Sequence, residues 1–160
     1  MRVDIIMGSA SDYEIMSGAA QTLASFGVEY EEKVLSAHRT PELLAEYVRG
    51  ARQRGTRIMI AGAGGAAHLA GVIASYTTLP VIGVPVMTKG LGGMDSLLST
   101  VQMPSGIPVA TVAINGSKNA ALLAVEILAL DNPELASKLD GFRRSQAEKI
   151  KDTTLPPASR

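Results

Sequence analysis

The sequence is poor in the residues that carry redox, covalent and stacking chemistry. Its 160 residues include no cysteine and no tryptophan, and only four tyrosines and two phenylalanines. The absence of cysteine excludes a disulfide framework, a thiolate nucleophile and a cysteine-ligated metal. Because aromatic side chains are scarce, alanine and the aliphatic residues must fill the core, and small residues of this kind suit close packing of helices on a sheet.

Neither sign of charge is in excess. The lysine and arginine residues number 15, and so do the aspartate and glutamate residues. A chain without a basic surplus lacks the electrostatic footprint for a nucleic-acid backbone or an acidic membrane. Neither is expected as a partner.

Long uninterrupted hydrophobic runs are also missing. The most hydrophobic region, residues 58–86, contains His68 and is broken by glycines and prolines, which makes it a poor membrane span. We interpret it as buried sheet. The first residues enter a strand directly and show neither the apolar core nor the cleavage site of a signal peptide, so a cytoplasmic protein is expected.

What the sequence does contain is an alternation of short apolar runs with longer segments of helical periodicity. This pattern is typical of repeated βαβ units and predicts an α/β fold, a three-layer, doubly wound parallel sheet of flavodoxin or Rossmann type with an extra C-terminal helix. The predicted strands are Val3–Met7, Glu29–Val34, Arg57–Ala61, Val81–Val84 and Val109–Ala113. The predicted helices are Asp12–Phe26, Pro41–Arg54, Ala66–Tyr76, Ser96–Gln102, Lys118–Leu130 and Glu134–Lys151.

The composition changes after residue 132, where the chain becomes more charged. We expect a single catalytic domain over residues 1–132. Residues 133–160 are expected to form a helix and a frayed tail that pack on this domain or on a neighbouring subunit. The apolar stripe of this helix consists of Leu135, Leu139, Phe142 and Ile150.

Capping signals define the expected ends of several helices. Ser11 and Glu14 have the spacing of a capping box, and Gly27 follows the same helix at the position that glycine favours. The second helix is expected to start after Thr40 and to end at Gly55, and Asp95 is interpreted as the N-cap of the fourth.

The segment from Ala61 to His68, Ala-Gly-Ala-Gly-Gly-Ala-Ala-His, combines glycines that free the backbone with one titratable ring. It reads either as the wall of a pocket or as a tight turn with an ordinary histidine. Two further loops, residues 8–12 and 36–41, also follow predicted strands, and the second carries the other histidine, His38. Because the carboxyl ends of parallel strands gather at one edge, we expect the three loops to build one site.

The first two loops contain candidate phosphate ligands. Ser9, Ser11 and Asp12 lie at the start of a helix, where free N–H groups favour an anion, and Asp12 suits neighbouring sugar hydroxyls as an acceptor. The alternative is that Ser11 is only a cap and Asp12 only a first-turn acid. Arg39 favours the phosphate interpretation, because its planar guanidinium can hold phosphate from a second side.

His38 and His68 are the candidate acid–base groups, since histidine exchanges protons most easily near neutral pH. Two histidines without cysteine make a poor metal set, and no HExxH spacing is present, so no metal is expected. Nucleophile-elbow, Walker and dinucleotide fingerprints are absent too. The loop at residues 88–95 is interpreted as a mobile flap or a subunit contact.

Six short segments follow one another along the chain: Gly8-Ser-Ala-Ser-Asp12, Ser36-Ala-His-Arg-Thr-Pro41, Ala61-Gly-Ala-Gly-Gly-Ala-Ala-His-Leu69, Asp95-Ser-Leu-Leu-Ser99, Val101-Gln-Met-Pro104 and Asn119-Ala-Ala-Leu-Leu-Ala124. Together they closely resemble the bacterial N5-carboxyaminoimidazole ribonucleotide mutase family of purine biosynthesis. The loops around both histidines are similar to the mutase class rather than to the direct carboxylases.

This resemblance implies an isomerase that acts on a small ribonucleotide without a cofactor. It implies that His38 is the catalytic histidine and that Ser9, Asp12 and Arg39 bind substrate. Further positions that line the pocket are implied to be Ser11, Ser36, Gly64, Ala66 and His68. It also implies a homo-octamer, with the last helix reaching across subunits, and a functional link to the ATP-dependent enzyme that makes the carbamate.

The chain departs from this family's pattern at Ala70, where proline is usual, and in a shorter loop at residues 114–119. Neither departure touches His38 or Arg39. A function of another class is a non-catalytic sensor of nucleotide phosphates on the same fold, in which both histidines are structural, because a fold alone does not fix an activity.

Overall fold

A computed structural model describes residues 1–151, 153 and 154. Five parallel strands form one sheet in the order β2-β1-β3-β4-β5. The strands are β1 (Arg2–Met7), β2 (Glu29–Val34), β3 (Thr56–Gly64), β4 (Val81–Val86) and β5 (Ala110–Thr111), and the helices are α1 (Tyr13–Phe26), α2 (Pro41–Arg49), α3 (Leu69–Tyr76), α4 (Met94–Val101), α5 (Ser117–Ala129) and α6 (Pro133–Lys151). The predicted α/β fold with an added C-terminal helix is confirmed.

Helices cover both faces of the sheet because the inner strands are apolar on both sides. Alternate residues of β1 belong to two separate cores. Ile5 packs with helices α1, α5 and α6, whereas Ile6 packs with α2 and α3 on the opposite face. β2 lies at an edge, and its charged sequence leaves most of its residues exposed, which discourages pairing with another strand.

Two helix ends differ from the sequence-based expectation. α2 ends at Arg49, and the chain then makes turns as far as Gly55, whose φ of +85° leads into β3. The capping box is formed by Ser9 and Asp12 around a short 3-10 turn, not by Ser11 and Glu14. Both errors arise because one local signal has several possible registers. Gly27 does end α1 in the left-handed conformation, as expected.

The strands also differ in length from those predicted. β3 continues through Gly64 because the backbone of the glycine-rich segment stays paired with β4 up to Val86. β5 is reduced to Ala110 and Thr111, the two residues that pair with β4. Among the described helices, none is both long and apolar enough to cross a bilayer.

α6 packs on its own chain through its first half. Leu135 and Leu139 are buried in the core beneath α1 and α5, and the ring of Phe142 meets that of Phe26 edge-on at 5.7 Å between centroids. Ile150, predicted to continue this stripe, is 76% exposed. The tail predicted to be frayed lies, apart from Thr153 and Thr154, outside the described residues.

A buried ionic cluster occupies the amino ends of the strands. Asp4 is fully buried on β1 and pairs with Arg2 at 3.0 Å and with Arg54 at 3.6 Å. The hydroxyl of Thr56 also donates to Asp4, at 2.9 Å. A buried carboxylate needs such partners, because an unpaired buried charge is costly.

Candidate active site

A cleft of about 540 Å³ opens at the carboxyl ends of the strands. It lies beside β1 and β3, where the direction of strand order reverses, which is the expected ligand site of this fold class. Its walls come from the loops after β1, β2, β3 and β4. The lining residues are Gly8, Ser9, Ser11, Asp12, Ser36, Ala37, His38, Arg39, Ala63, Gly64, Ala66, Leu69, Val86, Met87 and Thr88.

The loop after β1 places a buried carboxyl beside backbone donors. Asp12 is 8% exposed, and its Oδ2 accepts the Ser9 N–H at 3.1 Å. Burial raises the pKa of the Asp12 carboxyl, while the Ser9 amide and the Arg39 guanidinium oppose that shift. The hydroxyl of Ser11 donates to that of Ser9 at 3.0 Å. The cleft therefore presents two hydroxyls beside one acceptor held in place.

The loop after β2 is held rigid by its own side chains. Thr40 accepts the N–H of Ser36 and donates back to its carbonyl. Arg39 donates to the Ser36 hydroxyl at 3.3 Å and to the Gly8 carbonyl at 2.9 Å, which joins this loop to the loop after β1. A guanidinium fixed in this way presents a preorganised cation to an anionic ligand.

The two histidines meet although they are 30 residues apart in sequence. His38 Nε2 lies 2.9 Å from His68 Nδ1, and the two rings are almost perpendicular. One of the facing nitrogens must donate and the other accept, so at least one is unprotonated while the bond lasts. His38 lines the cleft, whereas His68 does not line it and is connected to it through His38.

The loop after β3 carries the glycine-rich wall. Gly64 lines the cleft, and a Cβ there would lie 3.2 Å from Thr88 Cγ2, so the wall and the loop after β4 approach closely. Gly65 has a φ of +70°, which requires glycine. Ser96 and Ser99 of α4 form hydrogen bonds with the backbone that follows Gly64.

Asp95 is not the N-cap of α4, contrary to the expectation. Gly93 occupies that position in the left-handed conformation, and Asp95 lies in the first turn. Its carboxylate accepts the hydroxyl hydrogen of Thr88, at 2.9 and 3.0 Å from its two oxygens. The Asp95 carboxylate thus binds Thr88 on the preceding loop instead of capping the helix, as its position in the sequence had suggested.

The loop after β5 supports the cleft from behind. Asn115 adopts a left-handed φ of 59°, and its Oδ1 accepts the N–H of Met87 at 2.8 Å. The shortened loop at residues 114–119 therefore still reaches the loop after β4.

Eight of the nine predicted site residues line one cleft, and His68 joins them through His38. Val86, Met87 and Thr88 also line the cleft but were not among the predicted site residues. A sequence signal for them exists, because they end or follow a predicted strand like the other site loops. It is a weak signal, since none of the three carries a charged or titratable group.

The model of the AIR carboxylase family matches residues 2–149. The chain belongs to the AIR carboxylase family. Two family members named N5-carboxyaminoimidazole ribonucleotide mutase are similar to it over most of their length. The one from Pyrococcus abyssi is 62% identical over 142 residues, or 89% of this chain and 82% of the relative. The one from Aquifex aeolicus is 64% identical over 138 residues, or 86% and 83%.

The fold agrees with this membership of the AIR carboxylase family. The crystal structure of Treponema denticola PurE superposes with a TM-score of 0.85 and 32% sequence identity, covering 94% of each chain. Both the sequence and the fold of the chain are thus those of the AIR carboxylase family.

Proposed function

We propose that this protein is an N5-carboxyaminoimidazole ribonucleotide mutase of purine biosynthesis. It moves the carboxylate from the exocyclic nitrogen of an aminoimidazole ribonucleotide to ring carbon C4. The observation that carries the proposal is the convergence of His38, Arg39 and Asp12 on one cleft. The family membership and the names of relatives at 62% and 64% identity support it.

The cleft divides into an anion-binding side and a ring-binding side. Ser9, Ser11 and Arg39 hold the phosphate, and Asp12 accepts hydrogen bonds from the ribose. Ser36, Gly64 and Ala66 enclose the heterocycle next to His38, and His68 contacts the ring of His38. Binding energy from the remote phosphate then fixes the ring against the proton donor.

The reaction needs one proton carrier and one confined intermediate. The N–C bond to the carboxylate breaks with its electron pair on nitrogen, which releases CO2, and His38 gives a proton to that nitrogen. C4 then attacks CO2, the new C–C bond forms, and His38 recovers the proton that C4 loses. One imidazole therefore serves both halves. The wall at residues 64–67 keeps CO2 near C4, which makes recapture a local event.

The bond between His38 and His68 prepares this proton transfer. Because the two rings share a single hydrogen bond, His68 fixes the orientation of the His38 ring next to the bound heterocycle. No ATP, biotin or metal takes part in the proposed steps.

The decisive experiment is His38→Asn. Turnover is expected to fall by about 10²- to 10⁴-fold, the usual contribution of a positioned acid–base group, while nucleotide affinity is kept. Ultraviolet spectra of the carbamate follow turnover, and calorimetry follows binding. Near-normal turnover in the variant would contradict the role of His38. Binding without any spectral change in the parent protein would indicate a sensor instead.

Labelled bicarbonate distinguishes the mutase from a direct carboxylase. If CO2 stays in the cleft, label enters the product slowly compared with turnover. Rapid and complete exchange would favour direct carboxylation of the free amine.

The remaining assignments extend to the assembly and its setting. We place the protein in the cytoplasm as a homo-octamer, functionally linked to the ATP-dependent enzyme that supplies the unstable carbamate. Residues 1–132 form the catalytic domain, and the C-terminal segment that starts at residue 133 packs on this domain or on a neighbouring subunit. Exposed apolar side chains on α4, including Met94 and Leu98, support association between copies of this chain.

A further inference from the structure

Beyond the last paired residues of β3 and β4, side-chain hydroxyl groups of α4 form hydrogen bonds with the backbone. Gly64 and Val86 are the last paired residues of β3 and β4. Beyond them, the Gly65 N–H donates to Ser96 Oγ at 2.8 Å, and Ser96 Oγ donates to the Val86 carbonyl at 2.6 Å. Ser96 is fully buried. Its hydroxyl thus joins the glycine-rich wall to the last residue of β4.

Ser99 repeats this arrangement one helical turn later. It accepts the N–H of Ala67 at 3.2 Å, and its own hydrogen can reach the carbonyls of Gly65, at 3.0 Å, and of Asp95. The backbone between Gly65 and Ala67 is therefore held by the side chains of Ser96 and Ser99, and the hydroxyl of Thr100 on the same helix also reaches the Ala67 carbonyl, at 3.4 Å. Few other backbone bonds restrain it, because only short turns close within the segment.

The wall held in this way leads directly into His68, one of the two paired histidines. Gly64 and Ala66 line the cleft, and His68 follows directly in the chain. Neither Ser96 nor Ser99 lines the cleft itself. Any effect of these serines on the reaction must therefore pass through the position of the wall.

We propose that Ser96 and Ser99 are positioning residues that keep the wall at residues 64–67 closed over CO2 while it is free. The inference rests on the proposed mutase function. It locates the control of CO2 loss in two hydroxyls of α4, of which that of Ser96 is fully buried, rather than in groups that touch the ligand. Loosening the wall lets CO2 escape before C4 attacks, so that turnover ends in the free aminoimidazole ribonucleotide.

The test measures how each turnover ends. The parent protein, Ser96→Ala and Ser99→Ala are each incubated with the carbamate. The two products, the free amine and the C4-carboxylate, are then separated and quantified. The amine that forms without enzyme is subtracted. The ratio of amine to carboxylate is expected to rise roughly tenfold in each alanine variant, as fits the loss of one or two hydrogen bonds. Ser99→Thr keeps the hydroxyl and is expected to restore the parent ratio.

Ser25→Ala is the matched control, because the Ser25 hydroxyl bonds only within α1, to Thr22. Its ratio is expected to equal that of the parent protein. Amide hydrogen exchange provides a second measurement without substrate. Exchange at Gly65 is expected to accelerate in Ser96→Ala, and exchange at Ala67 in Ser99→Ala.

The outcomes separate the two proposals. If the parent converts the carbamate but neither alanine variant changes the ratio, the positioning role is wrong and the mutase assignment stands. The positioning role is equally wrong if turnover falls at a constant ratio, or if exchange at both amides is unchanged. If the parent does not convert the carbamate at all, both proposals fail.

Discussion

At the scale of single residues, Asp12 combines burial with a functional position. Its folded-state pKa is raised, chiefly by burial, above the ordinary value of a carboxyl. The folded protein therefore holds more protons than the unfolded chain as pH rises through this range, and the free energy of unfolding decreases. An ionised Asp12 costs stability at neutral pH, a common feature of groups kept for function.

Asp12→Asn removes this charge and keeps an oxygen that can accept the Ser9 N–H. We expect a higher Tm than the parent at neutral pH, a difference that shrinks in acid, and weaker binding of the nucleotide. Thermal unfolding at several pH values measures the first two effects, and calorimetry measures the third. Parallel Tm curves for the two proteins across pH would contradict this account of Asp12.

Arg39 tests the phosphate side of the cleft. Lysine carries the same charge but cannot donate to Ser36 and Gly8 while also presenting a planar fork. For Arg39→Lys we expect the Kd of the substrate nucleotide to rise about tenfold, the cost of one good charge-assisted bond. The corresponding nucleoside, which lacks phosphate, is expected to bind both proteins equally.

Arg57→Lys, at an exposed position near the other end of β3, is the control and is expected to leave both affinities unchanged. An equal loss of affinity for the nucleoside and the nucleotide would show that Arg39 does not bind the phosphate.

The identity of the residues predicted which side chains lie at the candidate site, but it did not predict the contacts between them. His38 and His68 stood out because they are the only two histidines. Their direct bond could not be predicted, since it depends on the relative height of two loops that follow different strands. Asp95 shows the same limit, because its partner Thr88 competes with the helix end for one carboxylate.

At the scale of secondary-structure elements, two glycines differ in the space that surrounds them. A Cβ at Gly62 of β3 would lie 2.2 Å from Met16 Sδ of α1, and Met16 is fully buried. A Cβ at Gly141 of α6 meets nothing within 4 Å. The first glycine is required by close packing of a helix on the sheet, and the second is not.

Gly62→Ala is therefore expected to lower the free energy of unfolding by about 1–3 kcal/mol through overpacking. Gly141→Ala is expected to raise it by about 0.5–1 kcal/mol, since alanine loses less backbone entropy in a helix. Chemical denaturation of both variants measures the two changes. An equal effect of both substitutions would show that the contact with Met16 does not limit the site.

Element types followed from periodicity, whereas element ends did not. The end of α2 illustrates why: Gly50 and Gly55 both suit a helix end, and the chain turns at the first of them. β3 illustrates the opposite case, because glycines that weaken a strand locally remain paired when a neighbouring strand supplies the partners.

At the scale of the whole molecule, α4 presents an apolar stripe to solvent. Met94, Leu98 and Val101 follow at helical spacing and are about half exposed, and Leu91 precedes them. An exposed apolar stripe of this kind is typical of an interaction surface. Since α4 also braces the cleft, association through this stripe would bring neighbouring copies close to the site.

Leu98→Asp is expected to reduce the particle mass measured by light scattering, because a charge in an apolar interface is left without a partner. Leu130→Asp places the same charge on another exposed leucine, beyond the end of α5, and is expected to leave the mass unchanged. A parent protein that is monomeric, or a Leu98→Asp variant of unchanged mass, would contradict assembly through α4.

Because all strands of the sheet are parallel, the Asp4 cluster at their amino ends and the cleft at their carboxyl ends lie at opposite ends of the same sheet. Asp4 and Gly8 are four positions apart in the extended chain of β1 and its end, which corresponds to about 13 Å. Ionic groups of this kind can often be exchanged for well-packed apolar side chains without loss of stability. The Asp4 cluster can therefore be redesigned for stability at the amino ends of the strands without altering the cleft at their carboxyl ends.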